Sequence, residues 1–338
     1  MKSIKRMGFA VAAGLLVLAS LSVAAGPASA QIKLRIGFVV IPIHMGPLIY
    51  RIDEVSRNKG KSYTADFIHF RGSAPQLTAL AAGELDFAVL AFSTFAGGVV
   101  NARQDIVGVA DVARDGPGFS NVFGVLENSP IKSVKDLKGK VLAINAKGGA
   151  VDMAARTIML QNGLKPGRDV TIVEARFGAM EAMLRQGKVD VATLIAPFWA
   201  RASAKGGVRP LFYQKDGLGD TQFLFYVAQR KFVEKNRAAV VDWLEDYVRG
   251  TRWLLDPKNR DRALDMTAKL TKRKKRIYAS WALLEGKDLY HDPNARLDLV
   301  ALQRNVDTLH KLGILRRSFD VTKNVDESLV IEAAARLK

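Results

Sequence analysis

The chain has 338 residues and a formal net charge of +18, with 51 Lys and Arg against 33 Asp and Glu. That length accommodates two domains, and 49% hydrophobic with 25% charged residues is ordinary globular usage rather than that of a disordered chain. There is no cysteine, which excludes a disulfide framework and a lipid-anchored lipoprotein.

The N-terminus reads as an export signal. Lys2, Lys5 and Arg6 form a basic head, residues 9–23 an apolar core, and Ala28-Ser29-Ala30 a small-x-small processing site. Ser20, Ser22 and Gly26-Pro27 interrupt the apolar run, which is short for a membrane span. Cleavage after Ala30 and release into a periplasm are expected. Nucleic acid is not an expected partner of such a protein, and no nucleic-acid motif is present. The basic excess favours acidic partners or ligands.

The first strand is predicted over 34–41, broken at Pro42, with a helix over 47–58 behind it. A second strand follows over 62–70, its buried end at 67–70. A helix over 74–82 leads to a strand over 85–90, then a helix from Ser93 and a strand over 106–112. Asp115-Gly116-Pro117-Gly118 is a breaker cluster and marks a first crossing between lobes. Residues 122–126 are extended, and Ser133-Val134-Lys135-Asp136 forms a capping box with Asp in place of Glu. A strand over 140–145, a helix over 149–161 and a strand over 170–174 then replay the opening order. The turn cluster over 215–220 is the return crossing, and a strand over 222–228 rejoins the first lobe. Helices are predicted over 239–255, 260–270, 297–312 and 325–337, punctuated by Pro257 and Pro293, and this tail is expected to pack on the first lobe. The densest basic run, 269–276, reads as a solvated helix face.

One octapeptide occurs twice. Gly83-Glu84-Leu85-Asp86-Phe87-Ala88-Val89-Leu90 is answered by Gly187-Lys188-Val189-Asp190-Val191-Ala192-Thr193-Leu194. Each copy ends a helix on a glycine suited to positive φ, then turns into an apolar strand buried on both faces. The copies lie too far apart for a solenoid, whose repeats run about 20–45 residues. They predict two similar α/β lobes joined by two hinge crossings, with a helical C-terminal extension on lobe 1. The expected partition is 31–114 plus 222–338 for lobe 1 and 115–221 for lobe 2.

Open α/β sheets bind ligand beyond the carboxyl ends of their strands. His44, Arg71, Gly72, Ser73, Phe92, Ser93 and Thr94 are the candidates from the first lobe. Asn145, Gly148, Gly149, Arg176, Pro197, Phe198 and Trp199 are those from the second. Helix N-termini at Gly72-Ser73 and Gly148-Gly149 receive anions, while Ser73 alternatively only caps its helix. Arg71 and Arg176 hold matching positions and suit a carboxylate or sulfonate. Phe92 and Trp199 would stack on an organic acid; for Trp199 a place in the core is equally open. Asp86 and Asp190 stand at strand entrances, away from the cleft, and read as turn ties. His69, His291 and His310 show no metal-ligand spacing, so no metal or other cofactor is expected. No catalytic triad order, phosphate loop or dinucleotide fingerprint stands out.

The segments Phe70-Arg71-Gly72-Ser73-Ala74-Pro75-Gln76, Ala81-Ala82-Gly83-Glu84-Leu85-Asp86, 141–149 and 187–197 resemble the nitrate/sulfonate/taurine family of periplasmic substrate-binding proteins. The resemblance implies the bilobed type II periplasmic binding protein fold and a monomeric receptor of an ABC importer. Its partners would be a small anionic solute and an inner-membrane permease. Lys147-Gly148-Gly149-Ala150 departs from the family, which often places Ser or Thr there. Two further readings share the fold: an enzyme resembling thiamin-pyrimidine synthases, whose cysteine-rich motif this chain lacks, and a ligand-presenting partner of a periplasmic sensor.

Overall fold

In the computed structural model, which describes residues 31–115 and 119–337, the strands fall into two sets of the same order. The expected export signal, residues 1–30, and Gly116-Pro117-Gly118 of the expected first crossing lie outside the described residues. The first part of the chain gives β1 (Ile32–Phe38), α1 (Gly46–Ile49), β2 (Tyr63–His69), α2 (Ser73–Ala81), β3 (Ala88–Ala91), α3 (Phe92–Val100) and β4 (Ile106–Ala113). The second gives β5 (Val122–Leu126), β6 (Val141–Ile144), α4 (Ala150–Gln161), β7 (Thr171–Glu174), α5 (Phe177–Arg185), β8 (Val191–Leu194), α6 (Ala196–Lys205), β9 (Val208–Tyr213) and α7 (Gln214–Leu218). The chain then returns through β10 (Leu224–Gln229) and α8 (Arg230–Lys235). It ends in α9 (Arg237–Leu255), α10 (Arg260–Thr271), α11 (Arg276–Ala279), α12 (Leu299–Lys311) and α13 (Ser328–Ala335).

The second sheet runs β7-β6-β8-β5-β9, with β5 antiparallel to both neighbours. The first is built from β2-β1 and β3-β10-β4, joined by a parallel bridge between Ile36 and Phe87. Its order is therefore β2-β1-β3-β10-β4, with the returning β10 antiparallel in the place β5 takes in the other sheet. The strands of the second sheet, β5 to β9, are continuous in the chain, whereas the first sheet is completed by β10, which comes after them, so the chain passes from the first sheet to the second and back.

The duplicated octapeptide does the same work twice. Gly83 and Gly187 end their helices at φ +72° and +68°, where a Cβ would be strained. The Asp86 carboxylate accepts from the Arg35 N–H at 2.8 Å and from its guanidinium. Asp190 accepts from the Val141 N–H at 2.8 Å. Each acid thereby ties the start of its own strand to the neighbouring parallel strand, to Arg35 in the middle of β1 and to Val141 at the start of β6, where a turn tie was expected.

The tail does pack on the first sheet. Trp243 of α9 is fully buried, its ring 4.3 Å from Phe87 and 4.9 Å from Tyr226. Three expectations are corrected. The helix over 47–58 is a single turn, α1. The chain beyond it bonds outward instead: Ser56 Oγ donates to the Ile49 carbonyl, and Asp246 of α9 accepts from the Asn58 and Lys59 N–H groups. The buried end of β2 is Tyr63, while Ile68 is 38% exposed, because β2 is an edge strand anchored under α9 through Tyr63 Oη to Asp246 at 2.8 Å. The basic run is not one helix face. Lys272 ends α10 in the left-handed region at φ +54°, turning Arg273 toward the second lobe.

Candidate functional site

Three helix N-termini meet between the two sheets. Gly72, Gly149 and Ile195 are the N-cap residues of α2, α4 and α6, and none supplies a side-chain cap. The first N–H groups of α2 and α4 therefore keep their donor capacity and partial positive charge. In α6, Pro197 has no N–H and the Phe198 N–H donates to the Ile195 carbonyl at 2.9 Å, so Ala196 alone remains. Gly72, Ser73, Ala150, Val151 and Ile195 all line one inner chamber of about 50 Å³. That space holds a few waters or one small anionic group.

The remaining wall is mostly apolar, with four polar exceptions. Ser73 does not cap its helix; its Oγ accepts from the Ala91 N–H at 3.1 Å, which leaves the hydroxyl proton for a ligand. Asn145 Nδ2 donates to the Arg71 carbonyl at 2.6 Å. Asn121 Nδ2 donates to Gln214, and its Oδ1 is buried without a partner. His44 pairs Nδ1 with the Val40 backbone, while its buried Nε2 has no partner. Burial pushes the His44 imidazole down to about 4, so the ring is neutral at ordinary pH. Unpartnered buried polar atoms are a small minority in folded proteins, and two of those among the described residues belong to side chains lining this chamber.

A larger chamber of about 780 Å³ adjoins it and shares Val39, Val40, Asn145 and Phe177 in its wall. Arg71, Arg176 and Arg273 line it together with His69, Glu174, Pro197 and Phe198. Arg273 lies over the Phe198 ring at 5.3 Å.

The lobes also touch directly. Besides the Asn145–Arg71 bond, Thr94 Oγ1 donates to the Gly148 carbonyl at 3.1 Å. At the crossings, buried Asp115 accepts from Thr221 Oγ1 at 2.6 Å and from Gln214 Nε2 at 3.1 Å. Burial raises the Asp115 carboxyl to about 6, against the lowering by those bonds.

Of the residues singled out from sequence, His44, Gly72, Ser73 and Asn145 line the inner chamber, and Arg71, Arg176, Pro197 and Phe198 the outer one. Phe92, Ser93, Thr94, Gly148, Gly149 and Trp199 line neither. Phe92 is buried in the core, Thr94 and Gly148 are spent on each other, and Gly149 serves as the α4 cap. Trp199 stands about 200° around α6 from Pro197, and lines a separate groove with Phe119 and Tyr213. Sequence reasoning missed Asn121, Phe177 and Arg273. Phe177 was within reach, since it follows Arg176 at a repeat position; Asn121 carries no local signal.

The NMT1-like family model matches residues 27–268. An aliphatic sulfonates-binding protein of Escherichia coli (strain K12) is 31% identical over 234 residues, 68% of this chain and 68% of that protein. The periplasmic nitrate-binding protein NrtA of Synechocystis PCC 6803 superposes with a TM-score of 0.71 at 16% identity, covering 90% of this chain and 89% of its own. The desulfurization enzyme DSZB superposes at 0.65 with 14% identity, covering 90% and 99%, so the fold also supports catalysis elsewhere. At such identities these two structures show the fold alone. The chain belongs to the NMT1-like family and is a relative of the periplasmic solute-binding components of ABC importers.

Proposed function

We propose that the protein is a non-catalytic receptor that closes two lobes, 31–114 with 222–338 and 115–221, around a small organic anion and delivers it to an inner-membrane permease. The observation that carries this reading is the convergence of three uncapped helix N-termini, from both lobes, on one enclosed chamber. An anion there contacts α2 from one lobe and α4 and α6 from the other, so it favours the closed state by contacts the open state lacks. The apolar remainder of the wall suits an organic acid, a sulfonate or carboxylate, over a bare inorganic ion. The E. coli relative, a binder of aliphatic sulfonates by description, supports the same class.

Thermal-shift screening of the purified protein against sulfonates, nitrate, carboxylates and pyrimidines tests the reading. A true ligand at a hundred times its dissociation constant adds about 2.7 kcal/mol of stability. Chemical turnover of a bound solute, or no shift with any anion, would overturn it.

A further inference from the structure

We infer that the outer chamber is a second anion subsite, so that the solute is an organic dianion: two acidic groups, carboxylate or sulfonate, joined by an apolar or aromatic spacer. The inference rests on the receptor reading above and adds to it the charge and shape of the solute.

Three guanidiniums face one cavity. Arg71 follows β2 in the first lobe, Arg176 precedes α5 in the second, and Arg273 comes from the turn after α10. Among the described residues none of the three has a carboxylate within salt-bridge distance, and none donates a side-chain hydrogen bond. Other arginines among the described residues also stand without a partner, Arg103, Arg276, Arg316 and Arg317 among them, whereas Arg185, Arg201 and Lys205 all converge on Glu181. What sets Arg71, Arg176 and Arg273 apart is that these three line one chamber. The one carboxylate lining the chamber is Glu174, which accepts from the Lys147 N–H at 2.7 Å. Three guanidiniums against one carboxylate leave the lining with an excess of positive charge, which an anion between them offsets. Guanidinium matches a carboxylate or sulfonate by its paired N–H donors.

Val39, Val40, Phe177 and Asn145 belong to both walls. An acidic group seated at the inner helix N-termini therefore borders a mostly apolar wall that continues, past the Asn145 amide, toward the arginines. Phe198, with Arg273 over its ring, flanks the outer end. A monoanion fills the inner chamber and leaves the arginines unmatched; a dianion with a spacer of one ring or a short chain satisfies both.

Isothermal titration of the purified protein at fixed salt tests this with matched pairs: benzoate against the three benzenedicarboxylates, and propanesulfonate against 3-sulfopropanoate. At least one dianion is expected to bind tenfold or more tighter than its monoanion. Arg71→Gln, Arg176→Gln and Arg273→Gln should each remove about tenfold of the dianion affinity, a larger factor than each takes from the monoanion. Apart from the Arg273 contact with the Phe198 ring, these side chains make no hydrogen bond or ion pair with the fold among the described residues, so the thermal midpoints should move little. If monoanions bind and no dianion gains, the second subsite is refuted while the receptor reading stands. A dianion advantage that survives in the triple variant also refutes it. If neither series binds, the receptor reading falls and the subsite with it.

Discussion

Gly72 is the point at which closure is most sensitive to one added carbon. It lies in extended backbone at the start of α2, so alanine is tolerated there as far as φ is concerned. Its environment is another matter. A Cβ would lie 2.6 Å from Asn145 Nδ2 and 3.3 Å from the Ala146 Cβ, both on the opposite lobe. The Asn145 amide cannot swing aside without losing its 2.6 Å bond to the Arg71 carbonyl. Losing that bond costs about 0.5–1.5 kcal/mol, and overpacking a closed contact about 1–3 kcal/mol. Gly72→Ala should therefore weaken ligand binding by roughly 10- to 100-fold. The isolated lobes have nothing to clash with, so unliganded unfolding should barely change. Titration calorimetry gives the affinity, and small-angle scattering should show a wider liganded form than that of the unsubstituted protein. Unchanged affinity, or an equal loss of unliganded stability, would refute the reasoning.

Further outcomes can be checked on the same protein. His44, held down to about 4 by burial, is neutral across pH 5.5–8, so ligand affinity should be flat there; a tenfold fall per unit above pH 6.5 would show a charged imidazole instead. His44→Ala removes the ring whose Nε2 awaits a partner and should weaken binding by about tenfold, read by calorimetry. Asp115 has a folded value near 6 against about 3.9 in the unfolded chain. The folded state therefore binds the extra proton between those values, and its contribution to stability declines as pH rises from about 4 to 6, by about 3 kcal/mol. Asp115→Asn should flatten that part of the pH profile in denaturant titrations; an unchanged slope would assign it to other groups. Trp243→Ala empties the core between α9 and the first sheet and should cost about 3–5 kcal/mol in the same assay.

Local pattern alone was enough for the two-sheet architecture. The Gly–x–x–Asp–apolar signature needs only neighbours within one helix-turn-strand unit, and its duplication announced two lobes before any strand was paired. Amphipathic spacing likewise marked α9 and α12. The errors came where distant groups outbid local propensity. The one-turn α1 gave its continuation to Asp246, far along the chain, and β2 turned its anchored end to α9 because, among the described residues, no further strand pairs with its outer edge. At the site the division is sharper. Gly72, Ser73 and Arg71 were legible because each sits at a strand-to-helix junction, which in this topology opens on the cleft. Trp199 occupies an equivalent junction and still faces away, since two residues along a helix reverse a side chain's direction. Asn145 meeting Arg71, and Arg273 reaching Phe198, depend on how the chain crosses twice between sheets and how one left-handed residue ends α10. Sequence determined which segments become helix and strand and that they come in two matched sets. Only the tertiary arrangement decided which side chains share a chamber, because that depends on helix phase and on contacts between residues far apart in the chain.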